Sequence, residues 1–269
     1  MTSSTLAIRS PAKLNWHLQV IGKRPDGFHE LLTSFVALDF GDELIAEPMS
    51  QADCSTLQIL SSSSQDKGFP LSANNLILRA EDLWRSSGGE ADCVAWCVEK
   101  HIPLESGLGG GSSNAASALM ILQDLATKPL PDQVIEAIAR ELGSDVSFFL
   151  QNTSPSLMAG RGDIFVSHIN LPLAYVVIAI PEFKLSTADV FAATKAQSFG
   201  GTQVVEARFS STPGPNQLLS SAIEVEPRLK TFIEQIEKFA KFHLSGSGSA
   251  MFAVFGTREK AELCRHHIL

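Results

Sequence analysis

The segment from Pro103 to Ala116, hereafter the glycine-rich window, combines four glycines and three serines. A helix-forming run over 115–122 follows it directly. In such a turn the backbone N–H groups can point at an anion, and the helix dipole adds positive potential. Glycine also reaches φ > 0 and lets a phosphate approach the backbone closely. The window therefore predicts a phosphate site, with an ordinary glycine-rich helix cap as the alternative.

Three common phosphate-binding motifs do not fit the window. No Gly-Lys-Ser/Thr closes it, which excludes a Walker A loop. Counting from Gly107, the sixth residue is Ser112, so the dinucleotide-binding Gly-x-Gly-x-x-Gly fails as well. The Val-Ala-Ile-Lys strand of protein kinases does not follow. A phosphate site here must therefore be of another kind.

Composition bounds the class of protein. The chain has 269 residues, of which 44% are hydrophobic and 19% charged, as in soluble globular proteins. A formal net charge of -8 argues against a general nucleic-acid binder. The start lacks a signal-peptide pattern and no apolar run has membrane-spanning length, so no membrane partner is expected. The four cysteines lack metal-site spacing, and we predict free thiols in the cytoplasm.

The order of predicted elements favours an α+β fold, because strands and helices mix without a regular βαβ period. Alternation and turn residues predict strands over 5–9, 12–21, 30–38, 43–47, 56–60, 93–98, 164–166, 175–180, 242–244 and 251–254. Helical periodicity predicts helices over 75–85, 114–125, 131–142, 187–196, 230–239 and 259–266. We expect turns at Ser10-Pro11 and at 39–42, a loop with a domain boundary over 153–162, and a mobile segment over 198–215.

Three segments in a fixed order carry a family pattern. They are 11–15 (Pro-Ala-Lys-Leu-Asn), the glycine-rich window, and 244–250 (Leu-Ser-Gly-Ser-Gly-Ser-Ala). This ordered triplet resembles the GHMP kinase superfamily, over about residues 10–255. The segments 24–31 and 143–149 resemble one branch more closely, that acting on a cytidine-diphosphate-linked methylerythritol.

The resemblance implies an ATP- and Mg²⁺-dependent kinase that phosphorylates the 2-hydroxyl of this small molecule in isoprenoid precursor synthesis. It implies a two-domain α+β fold: an N-terminal ribosomal-protein-like domain over 1–155 and a C-terminal ferredoxin-like domain over 156–269. The active site would lie in the cleft between them. Oligomeric state stays open between a monomer and a weak homodimer, and the metal ligands are unknown.

Two residues are implied as catalytic. The family's catalytic aspartate falls on Asp145, which would take or orient the proton of the acceptor hydroxyl. Lys13 would stabilise that carboxylate and the transferred phosphoryl group. By spacing alone, Ser144-Asp145 is more typical of a helix N-cap, and Lys13 of a surface residue at a strand start.

The remaining implied roles divide between ATP and the second substrate. ATP is expected to contact Asn75, Lys100, Pro103, Ser106, Gly107, Leu108, Gly109, Gly110, Gly111, Ser112 and Ser113. The cytidine substrate is expected to contact Asn15, Phe28, His29, Leu31, Phe35, Thr187, Phe191, Gly246 and Ser247. Phe28 and Phe191 would stack on the cytosine while His29 reads its edge.

Several of these residues have equally ordinary structural readings. Asn75, or Asn74 in its place, is suited to capping the next helix as well as to contacting a nucleotide. Lys100 is equally suited to a solvent-exposed position at the end of a strand. Taken alone, Phe191 fits a core position, His29 a structural histidine and Asn15 a solvent-facing strand residue.

Two departures from the family pattern stand out. Phe28 replaces the usual tyrosine, and Glu105 replaces a small residue within the window, so its carboxylate must point away from a phosphate. Two rival functions follow. A superfamily kinase for a non-nucleotide alcohol would leave Phe28, His29 and Phe191 without a stacking role. A non-catalytic nucleotide-binding protein would have no use for Lys13 with Asp145.

Overall fold

The computed structural model describes residues 5–50, 52, 54–60, 68–151, 154–195 and 212–268. The strands are β1 (Leu6–Lys23), β2 (His29–Met49), β3 (Thr56–Leu60), β4 (Cys93–Glu99), β5 (Ser156–Gly160), β6 (Ile164–His168), β7 (Tyr175–Ala179), β8 (His243–Leu244) and β9 (Met251–Phe255). The helices are α1 (Leu76–Ser86), α2 (Gly110–Leu125), α3 (Asp132–Leu142), α4 (Val146–Leu150), α5 (Thr187–Ala192), α6 (Leu219–Val225), α7 (Arg228–Ile236) and α8 (Arg258–Ile268).

The residues form two compact units by their internal contacts. The first unit comprises Met1–Lys13, Ala37–Leu104 and Gly109–Thr153, and the second comprises Leu14–Val36, Glu105–Leu108 and Ser154–Leu269. The sequence predicts a single boundary near residue 155. The division is more interleaved because β1 and β2, at 18 and 21 residues, are long enough to supply residues to both units. Where the functional domains begin and end stays a prediction.

The first unit combines mostly antiparallel strand pairing with a helical layer. Residues 43–49 of β2 pair antiparallel with β4, and β4 pairs parallel with β3. Helix α2 packs against α1 and α4. The sheet and helices enclose buried apolar side chains that include Trp84, Trp96, Leu119 and Phe148. Burying a large apolar side chain contributes roughly 1.5–3 kcal/mol. Packing against this core therefore stabilises the position of α2.

The second unit contains its own core. Residues 31–35 of β2 pair antiparallel with β5, which pairs with β6. A separate antiparallel sheet has the order β7-β9-β8. Residues from β1, β7, α5, α7 and β9 form one hydrophobic cluster, which includes Leu18, Val177, Val190, Leu229 and Met251. The predominance of antiparallel pairs confirms the predicted α+β class.

The first two strands correct the sequence analysis. The expected turns at Ser10-Pro11 and 39–42 are absent, and both segments lie within continuous strands. A Cβ on Gly41 would lie 2.3 Å from the carbonyl oxygen of Ser10 and 2.7 Å from the Cα of Pro11. The two irregular segments therefore pack directly against each other, because glycine permits this close approach. Arg9 also pairs with Asp39.

Other differences concern element ends and missed elements. Helix α2 begins at Gly110, four residues before the predicted start, because Gly109 supplies the left-handed turn and its carbonyl accepts from the N–H of Ser113 at 2.9 Å. The predicted loop over 153–162 contains β5, and α6 was not predicted. Most of the segment predicted to be mobile, 198–211, lies outside the described residues. Over the described part of the chain, no helix is both long and apolar enough to cross a membrane.

Candidate active site

The first unit presents the start of α2 as an open helix end. Gly109 occupies the N-cap position at φ +76°, and no described side chain caps this end of the helix. Gly110, Gly111, Ser112 and Ser113 form the first turn, so they are helical rather than a free loop. The leading N–H groups of a helix have no intrahelical acceptor. This end of α2 is therefore suited to binding an anion.

Lys13 lies against this helix end. A Cβ added to Gly109 would come within 3.0 Å of Lys13 Cγ and 3.2 Å of Phe149 Cε2, so glycine permits the close packing of β1 and α4 residues there. The Lys13 side chain is buried, with only 4% of its surface exposed. The alternative reading of a surface lysine is therefore wrong.

Lys13 pairs with Asp145. The distance from Lys13 Nζ to Asp145 Oδ2 is 3.2 Å, and 26% of the Asp145 side chain stays exposed. Asp145 does precede α4 at the N-cap position, but its side chain makes no capping hydrogen bond. The capping alternative therefore fails, and the carboxylate remains accessible to a small molecule while a buried cation holds it in place.

A buried network lies beside this pair within the first unit. The Lys100 ammonium is 2.6 Å from Asp42 Oδ2, and both side chains are almost completely buried. Asp42 Oδ2 also accepts from Asn114 Nδ2 at 2.9 Å. The reading of Lys100 as a solvated strand-end lysine is therefore wrong. Nζ of Lys100 lies 3.1 Å from the position that a Cβ on Gly110 would take, so it does lie near the window.

Three buried polar atoms near these elements have no hydrogen-bond partner among the described residues. They are Ser113 Oγ and Asn114 Oδ1 on α2 and Ser147 Oγ on α4. An unsatisfied buried acceptor or hydroxyl costs roughly 1–3 kcal/mol. The cost is relieved when a ligand or water supplies the missing partner. Ser112, the other candidate hydroxyl, is partly exposed.

Asn75 performs the capping role that the sequence left open. Its side-chain oxygen accepts from the N–H of Ile77 at 2.9 Å, and its Nδ2 donates to the carbonyl of Pro70 at 2.7 Å. Contact between Asn75 and a nucleotide stays a prediction. Pro103 is partly exposed at the start of the window, and its contact with ATP stays a prediction as well.

The second unit contains residues 105–108 of the window and the turn over 244–250. The carbonyl of Ser106 accepts from the N–H of Ala250 at 3.0 Å, and the carbonyl of Gly107 accepts from Ser245 Oγ at 3.2 Å. The Leu108 side chain is fully buried, so only its backbone is available to a ligand. Glu105 adopts φ +57°, and its carboxylate is 2.8 Å from Lys184 Nζ. The departure at Glu105 is thus accommodated by a local ion pair.

Replacing Gly107 with alanine tests this contact. The added Cβ would lie 2.5 Å from the carbonyl oxygen of Ser245 and 2.7 Å from that of Gly248, at a backbone φ of +79°. We expect urea denaturation to show a loss of stability about 1–3 kcal/mol larger than that of Gly88→Ala. Gly88 is the matched control because it has φ +97° with nothing within 4 Å of its added Cβ. Equal losses would mean that only the backbone conformation requires glycine at position 107.

His29 and Phe191 form a stacked pair within the second unit. Their ring centroids are 5.3 Å apart with an interplanar angle of 28°, and His29 is 9% exposed. Burial lowers the pKa of His29, and the nearby charge of Lys23 lowers it further. A neutral imidazole offers one donor and one acceptor. Phe191 is half-buried and also packs against the hydrophobic cluster, so it has a core role as well as the contact with His29.

Phe28, which directly precedes His29 in the sequence, is an exposed aromatic residue. Its side chain is 53% exposed, and the Arg161 guanidinium lies 4.8 Å from its ring centroid. Arg161 is in turn 3.3 Å from Asp163 Oδ2. Arg161 could not be identified from the sequence, because no local pattern links it to Phe28. One face of Phe28 is therefore occupied by a cation in this structure.

The other residues expected to bind the cytidine substrate have polar partners in the second unit. Asn15 is buried, and its Nδ2 donates to Thr33 Oγ1 at 2.8 Å, so it does not face solvent. The hydroxyl groups of Thr187 and Ser247 are 2.7 Å apart. The carbonyl of Gly246 accepts from Asn216 Nδ2 at 2.8 Å.

Two residues in the predicted substrate set are core residues. Leu31 belongs to the hydrophobic cluster and is 6% exposed. Phe35 is 2% exposed and lies 3.4 Å from the position of a Cβ on Gly162. A role for either in ligand binding stays a prediction.

Comparisons with known proteins identify the family of this chain. Residues 75–159 match the GHMP kinases N terminal domain. The 4-diphosphocytidyl-2-C-methyl-D-erythritol kinase of Polaromonas naphthalenivorans is 36% identical over 91% of this chain and 84% of its own length. That of Chlamydia muridarum is 34% identical over 90% of this chain and 82% of its own length. The chain belongs to the 4-diphosphocytidyl-2-C-methyl-D-erythritol kinase family.

A solved structure of the same family extends the likeness to the fold. The crystal structure of a 4-(cytidine 5'-diphospho)-2C-methyl-D-erythritol kinase superposes with a TM-score of 0.76 at 32% identity, covering 97% of this chain and 96% of that one. The fold of this chain is therefore the GHMP kinase fold. Membership of this kinase family confirms the resemblance identified from the three ordered segments.

Proposed function

We propose that this chain transfers the γ-phosphoryl group of ATP to the 2-hydroxyl of 4-diphosphocytidyl-2-C-methyl-D-erythritol, a step in isoprenoid precursor synthesis. The proposal rests mainly on the ion pair between buried Lys13 and accessible Asp145, which are 3.2 Å apart. Lys13 also packs on Gly109 at the start of α2. A phosphate-binding helix end and a paired carboxylate are two parts that phosphoryl transfer requires. Membership of the kinase family supports the same chemistry.

The start of α2 would hold the ATP phosphates. The N–H groups of its uncapped first turn and the α2 dipole supply positive potential without a Walker lysine. Ser113 Oγ, which has no described partner, would find one in a phosphate oxygen or its metal. Ser112 and the backbone of Gly109 would complete the contacts within the first unit. Contact of residues 106–108 with ATP stays a prediction.

Asp145 and Lys13 would act on the acceptor. The Asp145 carboxylate accepts the proton of the attacking hydroxyl while that oxygen forms a bond to the γ-phosphorus, and the bond from this phosphorus to the bridging oxygen of ADP breaks. Lys13 holds the carboxylate in place before the reaction, and it stabilises the charge that develops on the phosphoryl oxygens. Since phosphoryl transfer depends mainly on positioning and charge, this pair needs no covalent role.

Magnesium fits the donors that are present. Mg²⁺ usually binds one or two carboxylates plus substrate phosphates and keeps several waters, so it needs no all-protein cage. The described residues contain no group of three or more His, Cys, Asp or Glu side chains that would form such a cage. The Ser113 hydroxyl is the oxygen donor of the first turn of α2 that would contact the ion, which neutralises phosphate charge when bound.

The second unit would recognise the cytidine. A neutral His29 offers a donor and an acceptor to the cytosine edge, and Phe191 and Phe28 offer stacking surfaces. Asn15, Thr187 and Ser247 would contact the polar parts of the substrate. Stacking tolerates the change from tyrosine to Phe28, because a ring face stacks with or without the phenolic hydroxyl.

A panel of acceptor alcohols tests the proposal. ADP release would be measured with purified protein, ATP and Mg²⁺, using methylerythritol derivatives with and without the cytidine diphosphate group, homoserine and mevalonate. We expect turnover only with the cytidine diphosphate compound. Turnover with an alcohol that lacks cytidine would favour another superfamily kinase. ATP binding without turnover on any acceptor would favour a non-catalytic nucleotide-binding protein.

A further inference from the structure

Asp42 is a fully buried carboxylate whose two oxygens accept four hydrogen bonds. Its Oδ1 accepts from the backbone N–H groups of His101 and Ile102, each at 2.8 Å. Its Oδ2 accepts from Lys100 Nζ at 2.6 Å and from Asn114 Nδ2 at 2.9 Å. The relative exposure of Asp42 is 0%. Charge-assisted bonds in such a dry environment are strong and geometrically demanding.

The donors to Asp42 come from both sides of the window: three precede it in the sequence and one lies near its end. His101 and Ile102 immediately precede it, whereas Asn114 lies within it, on the second turn of α2. Ile102 also lies 3.0 Å, through its Cγ2, from the position of a Cβ on Gly110. One buried carboxylate thus fixes the chain entering the window to the helix leaving it. Moving either segment would break a bond to a charged group that water cannot replace.

The same contact sets the electrostatics near α2. Lys100 and Asp42 neutralise each other, so the Lys100 ammonium lies beside Gly110 as half of an ion pair. An isolated buried ammonium would be costly, and Asp42 removes that cost. The positive potential offered to an anion therefore arises chiefly from the N–H groups of the first turn of α2, because Lys13 is likewise paired with Asp145.

We infer that Asp42 is a positioning residue for ATP: it holds the N–H groups at the start of α2 in the arrangement that binds the phosphates, without touching the nucleotide. This inference rests on the proposed function, since it assumes that ATP binds at the window. Asp42 supports the helix end, whereas Asp145 acts on the acceptor. A change at Asp42 therefore affects ATP far more than the cytidine substrate.

The test compares Asp42→Asn with Glu81→Gln. Glu81 is a matched control: a carboxylate of the first unit, 3% exposed, that accepts from Trp96 Nε1 at 2.7 Å and from Ser55 Oγ at 2.6 Å. Both variants are expected to lower Tm. Only Asp42→Asn is expected to raise KM for ATP and the directly titrated Kd for ATP, by about 10- to 100-fold, because small displacements of binding groups have effects of this size.

The remaining readouts distinguish positioning from general loss of structure. For Asp42→Asn we expect the KM for the cytidine substrate to change less than about twofold and kcat at saturating ATP to be largely retained. If Asp42→Asn does not fold, Asn114→Ala provides a second test. It removes one hydrogen-bond donor to Asp42 and leaves the ion pair with Lys100 in place, and we expect the same selective rise in KM for ATP. An unchanged KM for ATP in the folded variant, or an equal rise in Glu81→Gln, would overturn the inference. Wild-type protein that binds no ATP would instead overturn the proposed function.

Discussion

Replacing Asp145 with asparagine is expected to lower kcat by about 10²- to 10⁴-fold while ATP still binds. The amide keeps the size of the side chain, but it cannot accept the hydroxyl proton. Its partner Lys13 is buried and 3.2 Å away, so the wild-type carboxylate is held in position beside a cation. Steady-state ADP release measures the loss in turnover, and titration with ATP measures the retained affinity.

The control for this prediction is Asp132→Asn. Asp132 is an exposed carboxylate in the first turn of α3, in the same unit as Asp145, and its loss should leave kcat near the wild-type value. A second check uses Lys13→Met. Because residues that act as a unit have non-additive effects, adding Asp145→Asn to Lys13→Met should cost little further activity. Near-wild-type turnover in the single Asp145 variant would remove the proposed role of the carboxylate.

Replacing His29 with alanine is expected to raise KM for the cytidine substrate by about 10- to 100-fold, with KM for ATP nearly unchanged. The change removes both hydrogen-bonding nitrogens and the ring that stacks on Phe191 at 5.3 Å. KM values for both substrates would be measured on the same preparation. Equal effects on the two KM values would argue against recognition of the base by His29.

His243 provides the matched control. It is a second histidine of the same unit whose pKa is lowered by burial, and it lies 5.6 Å from the ring of Phe252. His243→Ala should reduce stability without a selective rise in KM for the cytidine substrate. Comparing the two variants separates loss of a histidine that packs against an aromatic ring from loss of base recognition.

The pH dependence of this KM gives an additional readout. Burial lowers the pKa of His29 from its ordinary value of 6.5, so the ring in the free enzyme is mostly neutral at pH 7 and becomes half protonated only at a pH below 6.5. Protonation replaces the acceptor nitrogen with a second donor. The KM for the cytidine substrate should therefore rise as the pH falls below 6.5 and be flat above it. His29→Ala should lose this rise.

Much of the local structure follows from the sequence because it depends on short-range chemistry. Helix α1 is predicted by the periodicity of its apolar residues, and Asn75 is a residue type that caps helices. Strand β4 is predicted by its β-branched and aromatic residues. The predicted strand breaks at Ser10-Pro11 and 39–42 are wrong because they too relied on short-range patterns alone. Proline and glycine usually end a strand, and only the close packing of Gly41 against Ser10 and Pro11 explains why these strands continue.

For the candidate site, the sequence by itself determined the chemical inventory: an open glycine-rich start of α2, a lysine, an aspartate and an aromatic–histidine pair, in an order that identifies the family. The family resemblance also implied that Lys13 acts on Asp145. Only the tertiary structure decided between this pairing and a cap of α4, and only it placed Lys100 on Asp42, 58 residues away in the chain. Such contacts depend on long-range packing that brings distant strands and helices together, and no spacing within one segment encodes them.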